Sequence, residues 1–122
     1  MKRDMDFVRE ILLQIESRPD LDGIHWIELD ESDFPGHTNE EIAYHIQLLV
    51  ESGLVEGTSP TYESPSVPIS RLTWPGHEFL DNIKDKGVWE SVKKRIDKLP
   101  GVALAVVVEI AKEEIKRLLM LK

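Results

Sequence analysis

The chain contains no cysteine among its 122 residues, which excludes disulfides, thiolate metal ligands and cysteine nucleophiles. It also lacks a long hydrophobic run. The longest uncharged apolar stretch, residues 102–108, falls far short of the roughly 20 residues that a membrane helix needs. Charged residues occur within the first four positions, and no apolar signal segment follows them. These absences predict a cytoplasmic protein that does not bind a membrane.

The signature motifs of enzymes are missing too. The sequence has no Gly-x-Ser-x-Gly motif and no phosphate-cradling glycine loop. His37, Glu41 and His45 are spaced four residues apart, as metal ligands on a helix can be. However, His37 precedes the predicted helix cap and Glu41 is expected to serve that cap, so structural or surface roles are the preferred interpretation. The sequence therefore predicts no enzyme activity, no cofactor and no metal site.

The middle of the chain contains no positively charged side chain apart from any protonated histidine. The formal net charge of the whole chain is −8. Residues 19–70 contain no lysine or arginine, whereas residues 71–122 contain eleven basic and eight acidic side chains. The eleven acids of the middle stretch are Asp20, Asp22, Glu28, Asp30, Glu31, Asp33, Glu40, Glu41, Glu51, Glu56 and Glu63. Nearly all of the negative excess is thus concentrated in the middle third of the chain.

A helix, a glycine stop and two strands organise this middle stretch. Thr38 and Glu41 have the spacing of a capping box. The apolar residues that follow recur on one helical face, namely Ile42, Ile46, Leu49 and Val50. Gly53 is a typical helix stop, and residues 54–56 and 69–74 are predicted to be strands. Residues 57–68, with three prolines, are predicted to be an exposed, mobile loop between them.

The flanking segments complete the predicted architecture. A first helix begins at Asp4 or Asp6 and ends before Pro19, residues 24–29 form a third strand, and residues 30–37 form a loop. Helices follow from Pro75, over residues 88–96 and over residues 102–121. The predicted buried face of the first helix is Phe7, Val8, Ile11, Leu12 and Ile15. The predicted apolar stripe of the last helix is Leu104, Val107, Val108, Ala111, Ile115, Leu118 and Leu119.

This order predicts an α+β winged helix (helix, strand, helix, two-stranded wing) with additional C-terminal helices. We expect residues 1–84 to form the winged-helix core and residues 85–122 a helical extension, either part of the same domain or a dimerisation element. Trp74 and Phe79 are expected to be buried where the second wing strand meets its following helix. Val106 and Ile110 lie opposite the apolar stripe of the last helix, which predicts a homodimer through these residues. The alternative is that this helix buries both of its sides within one chain.

Several short motifs resemble an uncharacterised bacterial and prophage family of unknown function with a predicted winged-helix core. They are the start Met-Lys-Arg-Asp-Met-Asp, Tyr44-His45, Leu48-Leu49, Gly53-Leu54, Trp89 and the run Leu72-Thr73-Trp74-Pro75-Gly76-His77-Glu78-Phe79-Leu80-Asp81. The resemblance spans nearly the whole chain. It implies the architecture, a cytoplasmic location and a mobile-element context, and it provides no catalytic residues.

The distribution of charge favours one function and leaves two alternatives. The outward face of the helix after Thr38 is predicted to carry Glu40, Tyr44, Gln47, Leu48 and Glu51, without a cation. A helix that reads DNA needs cations to meet phosphates, so this face favours a protein partner. One alternative is a DNA-binding regulator that uses the basic C-terminal half, with Lys93, Lys94, Arg95 and Lys98. Another is an acidic inhibitor whose carboxylates imitate nucleic acid.

Overall fold

A computed structural model describes residues 1–58, 66–99 and 101–120, which form a mixed α+β protein. The described elements, in chain order, are α1 (Met5–Ser17), α2 (Asn39–Glu51), β1 (Val55–Gly57), β2 (Ile69–Leu72), α3 (Trp74–Ile83), α4 (Lys86–Ile96) and α5 (Leu104–Met120). The chain divides into two compact units, Met1–Gly76 and His77–Lys122. The predicted α+β class is confirmed. Most of the predicted loop, residues 59–65, lies outside the described residues.

Helix α1 begins and ends where the sequence predicts. The Asp4 carboxylate accepts a hydrogen bond from the Phe7 backbone N–H at 3.1 Å. The C-cap residue Arg18 is extended, as expected for a residue before proline. The five residues of the predicted apolar face are all buried: Phe7, Val8, Ile11, Leu12 and Ile15. This face packs against α2 and β2.

Helix α2 has both of its predicted ends. The Thr38 hydroxyl accepts from the Glu41 N–H at 3.1 Å, so Thr38 caps the helix. At the other end Gly53 has a φ of +76°, a left-handed conformation that favours glycine. The Leu54 N–H donates to the Leu49 carbonyl and the Gly53 N–H donates to the Val50 carbonyl, which together form a Schellman motif. This motif directs the chain out of the helix and into β1.

Strands β1 and β2 pair antiparallel, with Val55 opposite Leu72 and Glu56 opposite Arg71. The predicted third strand over residues 24–29 is wrong as an extended element. Within residues 24–29, all of which the structure describes, only Ile27 pairs with the sheet, through a single bridge to Ile69. The Asp22 carboxylate accepts from the backbone N–H groups of residues 24 and 25, which closes a turn where a strand would have to continue.

Helix α3 begins at Trp74, one residue before the expected start, because the Thr73 hydroxyl accepts from the Gly76 N–H and caps it. This shift overturns the expectation that Trp74 is buried, since its exposed fraction is 75 %. As the first helical residue, Trp74 lies on the side opposite the buried residues of α3, which are Phe79, Leu80 and Ile83. The prediction that Phe79 is buried is confirmed.

In the second unit, α4 packs against α5. Helix α4 begins at Lys86, two residues before the expected start at residue 88, because the Asp85 carboxylate accepts from the Val88 N–H at 2.9 Å and caps the helix. The predicted stripe on α5 is confirmed in part. Leu104, Val107 and Ala111 are buried, whereas Leu119 is exposed. Its other members, Val108, Ile115 and Leu118, are half-buried. Residues 100 and 121, which belong to predicted helix ends, lie outside the described residues.

Across the described residues, no helix combines the length and the hydropathy required to cross a bilayer.

Candidate functional site

The first candidate surface is the exposed side of α2, here called the α2 outer face. Its five residues are those that the sequence places there: Glu40, Tyr44, Gln47, Leu48 and Glu51. The two glutamates are exposed and the other three side chains are half-buried. The Gln47 amide donates to the Glu51 carboxylate at 3.1 Å. Glu40 has no hydrogen-bond or ion-pair partner within the part of the chain that the structure describes. The face thus presents carboxylates around an aromatic and aliphatic centre.

His45 fixes α2 against the start of α1. Its side chain is 1 % exposed, and its Nε2 accepts from the Asp4 backbone N–H at 2.9 Å. Its Nδ1 lies 2.7 Å from the Glu41 carbonyl oxygen, which can only accept, so Nδ1 carries the proton. The His45 ring also meets the Tyr44 ring edge to face at 5.3 Å, so the anchor contacts a residue of the α2 outer face. Because both ring nitrogens are engaged, His45 is a structural residue.

His37 lies in a different environment. Its ring stacks on Phe7 with centroids 3.7 Å apart, and its Nδ1 lies 3.1 Å from the Glu41 carboxylate. The hydrogen bond from His37 is the main cause that lowers the pKa of Glu41 below its ordinary value. His37, Glu41 and His45 therefore do not converge on one point. Among the described residues, no group of three or more histidine, aspartate or glutamate side chains could hold a metal ion.

Several carboxylates of the middle stretch are bound internally. Arg18 pairs with Asp20 at 2.7 Å and with Asp33 at 2.9 Å. The hydrogen bond from Arg18 lowers the pKa of Asp20, and hydrogen bonds from Ser32 lower the pKa of Asp30. These acids hold the loop before α2 in place. The glutamates of the α2 outer face differ from them because they point to solvent.

The second candidate surface is a cleft of about 360 Å³ between α4 and α5, here called the α4–α5 cleft. It is lined by Ser91, Lys94, Arg95, Glu114 and Arg117. Lys94 and Arg95 are among the residues predicted from the sequence, whereas Ser91, Glu114 and Arg117 are not. Of the other predicted nucleic-acid residues, Lys93 pairs with Glu90 at 3.2 Å and Lys98 is exposed.

Glu114 is the residue that the hydrophobic pattern could not reveal, because it occupies a buried position on α5 with only 2 % exposure. It forms ion pairs with Arg117 and, at 3.5 Å, with Arg95. The hydrogen bond from Arg117 is the largest cause that lowers the pKa of Glu114, and the Arg95 charge adds to it. Arg95 also pairs with Glu113 at 2.9 Å. A charged residue at an otherwise apolar helical position was the only signal in the sequence.

The predicted dimerisation residues lie on α5. Val106 is 46 % exposed and Ile110 is half-buried. One apolar side chain of the pair is thus open to a partner, and the other is partly covered within the chain.

These observations define a small α+β protein. Its described residues include an acidic helix face on α2 and a basic cleft between α4 and α5. The chain belongs to the family described as "Hypothetical protein (DUF2513)", whose model matches residues 2–103. It is also similar to an uncharacterized protein from Haemophilus influenzae. The two are 36 % identical over 121 residues, which cover 98 % of this chain and 99 % of that protein. No solved structure matches the chain. The expected membership of a family of unknown function is confirmed.

Proposed function

We propose that this protein is a non-catalytic winged-helix interaction module that acts in the cytoplasm through protein contacts. The winged-helix assignment is supported by the order of α1, the Ile27 bridge, α2, β1, β2 and α3, in which an antiparallel hairpin follows the second helix. Its phage or mobile-element origin is supported by the resemblance of the sequence motifs alone. The absence of enzyme signatures from the sequence supports a role without catalysis.

One observation carries the choice of a protein partner, namely the composition of the α2 outer face. In winged-helix proteins that read DNA, the second helix lies in the major groove and needs cations nearby. This face instead exposes Glu40 and Glu51, which would repel phosphates. Tyr44 and Leu48 lie between these charges. An apolar centre with a charged rim is typical of protein interfaces, so we expect a partner whose rim carries lysine or arginine.

The acidic-inhibitor alternative requires carboxylates that are available to a target. Arg18 pairs with both Asp20 and Asp33 and offsets one of their two negative charges, and the Asp22 carboxylate is occupied by the N–H groups of its own turn. Several acids of the middle stretch are therefore engaged in local structure, which supports contact through α2 over a broad imitation of nucleic-acid charge.

The first prediction tests the α2 outer face. We expect the double variant Glu40→Lys, Glu51→Lys to lose the bound protein, because two like charges would then face a basic rim. The measurement is affinity capture from a bacterial lysate with immobilised wild type and variant, followed by titration of the captured protein. Circular dichroism reports whether the fold is kept, since a lysine in the first turn of α2 costs about 0.3–1 kcal/mol.

The matched control is Glu28→Lys, Glu78→Lys, which makes the same change of charge at two exposed positions off this face. We expect the control to retain the partner. If both double variants capture the partner equally well, the α2 outer face is not the contact surface. If both lose the partner equally, the loss is caused by the change in net charge and not by the position of the charges.

The second prediction concerns the homodimer that belongs to the same proposal. Because Val106 is open on α5, we expect the wild type to be a dimer at tens of micromolar and Val106→Glu, Ile110→Glu to be a folded monomer. Light scattering measures the mass of each. The control Ala105→Glu, Leu119→Glu places the same charges at exposed positions on the other side of α5. A monomeric wild type would disprove the dimer, and a variant that unfolds would favour burial of this side within one chain.

A further inference from the structure

Cationic side chains from two helices converge on the α4–α5 cleft. Ser91, Lys94 and Arg95 follow one another at helical spacing, so they lie on one face of α4. Arg117 approaches the same cleft from α5. The lining contains three cations and a single carboxylate, that of Glu114, and therefore has a positive formal charge.

The buried Glu114 carboxylate positions the guanidinium groups. It contacts Arg117 Nη2 and Arg95 Nη1, while Arg95 Nη2 also contacts Glu113. An arginine has five N–H donors, so these bonds leave donors on both side chains. The ion pairs also restrict the rotamers of two long side chains before any ligand arrives, which reduces the entropy lost on binding. The guanidinium groups are thus preorganised.

Lys94 adds a further positive charge to the cleft. Within the described residues its ammonium group has no hydrogen-bond or ion-pair partner. Lys93, the adjacent residue, differs in this respect because it pairs with Glu90. Ser91 also lines the cleft, and its hydroxyl group can donate a hydrogen bond.

From this arrangement we infer that the α4–α5 cleft binds a phosphate group. Guanidinium groups bind phosphate through paired N–H donors, and an ammonium group adds a point charge. The volume of about 360 Å³ also leaves room for the group to which a phosphate is attached. The inference goes beyond the proposed protein contacts because none of the lining residues belongs to the α2 outer face.

A second cleft offers an internal comparison. It has a volume of about 220 Å³, lies in the first unit, and its polar lining is Glu28, Asp30, Asn39 and Ser66. With two carboxylates and no cation, this cleft would repel phosphate. Phosphate is therefore not expected to bind in this second cleft.

Phosphate could come from the backbone of a nucleic acid or from a small phosphorylated molecule, and two measurements separate these sources. The first is fluorescence anisotropy of a short mixed-sequence DNA duplex over a salt series. The second is an NMR titration with inorganic phosphate, followed at the backbone amides of the lining residues. Both use the full chain, as wild type and as Lys94→Gln, a variant that leaves the Glu114 ion pairs intact.

If the source is a nucleic acid, the duplex binds, and Lys94→Gln reduces the slope of log affinity against log salt by about one. If the source is a small molecule, inorganic phosphate shifts the amide signals of Ser91, Lys94 and Arg117, these shifts weaken at least several-fold in Lys94→Gln, and the duplex does not bind. The control Lys86→Gln removes one exposed charge from the other end of α4 and should change neither result. The inference is overturned if the wild type binds neither the duplex nor inorganic phosphate. It is also overturned if Lys86→Gln weakens binding as much as Lys94→Gln does.

Discussion

Replacement of Phe79 by alanine should lower the free energy of unfolding by about 3–5 kcal/mol, the usual range for a buried aromatic side chain. Phe79 is 1 % exposed, and Leu80 and Ile83, its neighbours on the inner side of α3, are completely buried. The alanine would leave a cavity that these packed side chains cannot fill by moving. Denaturation by urea, followed by circular dichroism, measures the change.

Trp74→Ala is the matched control, because it removes a larger aromatic side chain from the same helix. With 75 % of Trp74 exposed, this change should alter stability by less than about 1 kcal/mol. The comparison separates burial from the mere presence of an aromatic ring. A loss below about 1 kcal/mol for Phe79→Ala, or a larger loss for Trp74→Ala, would contradict the packing of α3.

The error over Trp74 shows where a sequence pattern stops being informative. The sequence predicts a strand over residues 69–74 with Trp74 at its end, but β2 ends at Leu72. Because Thr73 caps α3, the side chains from Trp74 onward follow the periodicity of a helix and not that of a strand. Trp74 therefore lies on the exposed side of α3. Phe79 was predicted correctly because it lies well inside the helix, where a shift of one residue at the start does not alter its face.

Helices α1 and α2 could be predicted because their determinants are local. Asp4 and Thr38 cap helices whose apolar residues recur at helical spacing, and Gly53 ends the second one. The third strand failed because aromatic and β-branched residues favour a strand only where a neighbour completes the pairing. Here the Asp22 side chain satisfies the backbone locally instead.

The same distinction applies to the candidate sites. The α2 outer face could be located from the sequence, because it is the complement of a well-marked buried face. The environment of His45 could not, since its partner Asp4 lies 41 residues away in the chain. Glu114 and Arg95 are 19 residues apart, so the α4–α5 cleft depends on how two helices pack. A sequence pattern places residues on a helical face, but it does not place two faces together.

The beginning of α3 contains a glycine that the structure requires for space. A β-carbon added at Gly76 would lie 2.0 Å from the Leu54 carbonyl oxygen and 2.9 Å from the Leu54 carbonyl carbon. The Thr73 N–H donates to this same carbonyl at 3.0 Å, and the Thr73 hydroxyl donates to the Gly53 carbonyl at 2.6 Å. These bonds hold the start of α3 against the peptide that follows α2. The obstacle is backbone, so no side chain can rotate away from it.

We therefore expect Gly76→Ala to lower the free energy of unfolding by about 3 kcal/mol or more, the upper end of the range for overpacking. Alanine is favoured over glycine inside a helix by only about 1 kcal/mol, so the clash should dominate. Gly87→Ala in α4 is the control, because a β-carbon there meets only the Asp85 carboxylate, at 3.1 Å, and the change should stay within about 1 kcal/mol. Urea denaturation of both variants gives the comparison. If Gly76→Ala is as stable as the wild type, α3 cannot begin in contact with the Leu54 peptide, and the turn from β2 into α3 must follow another path.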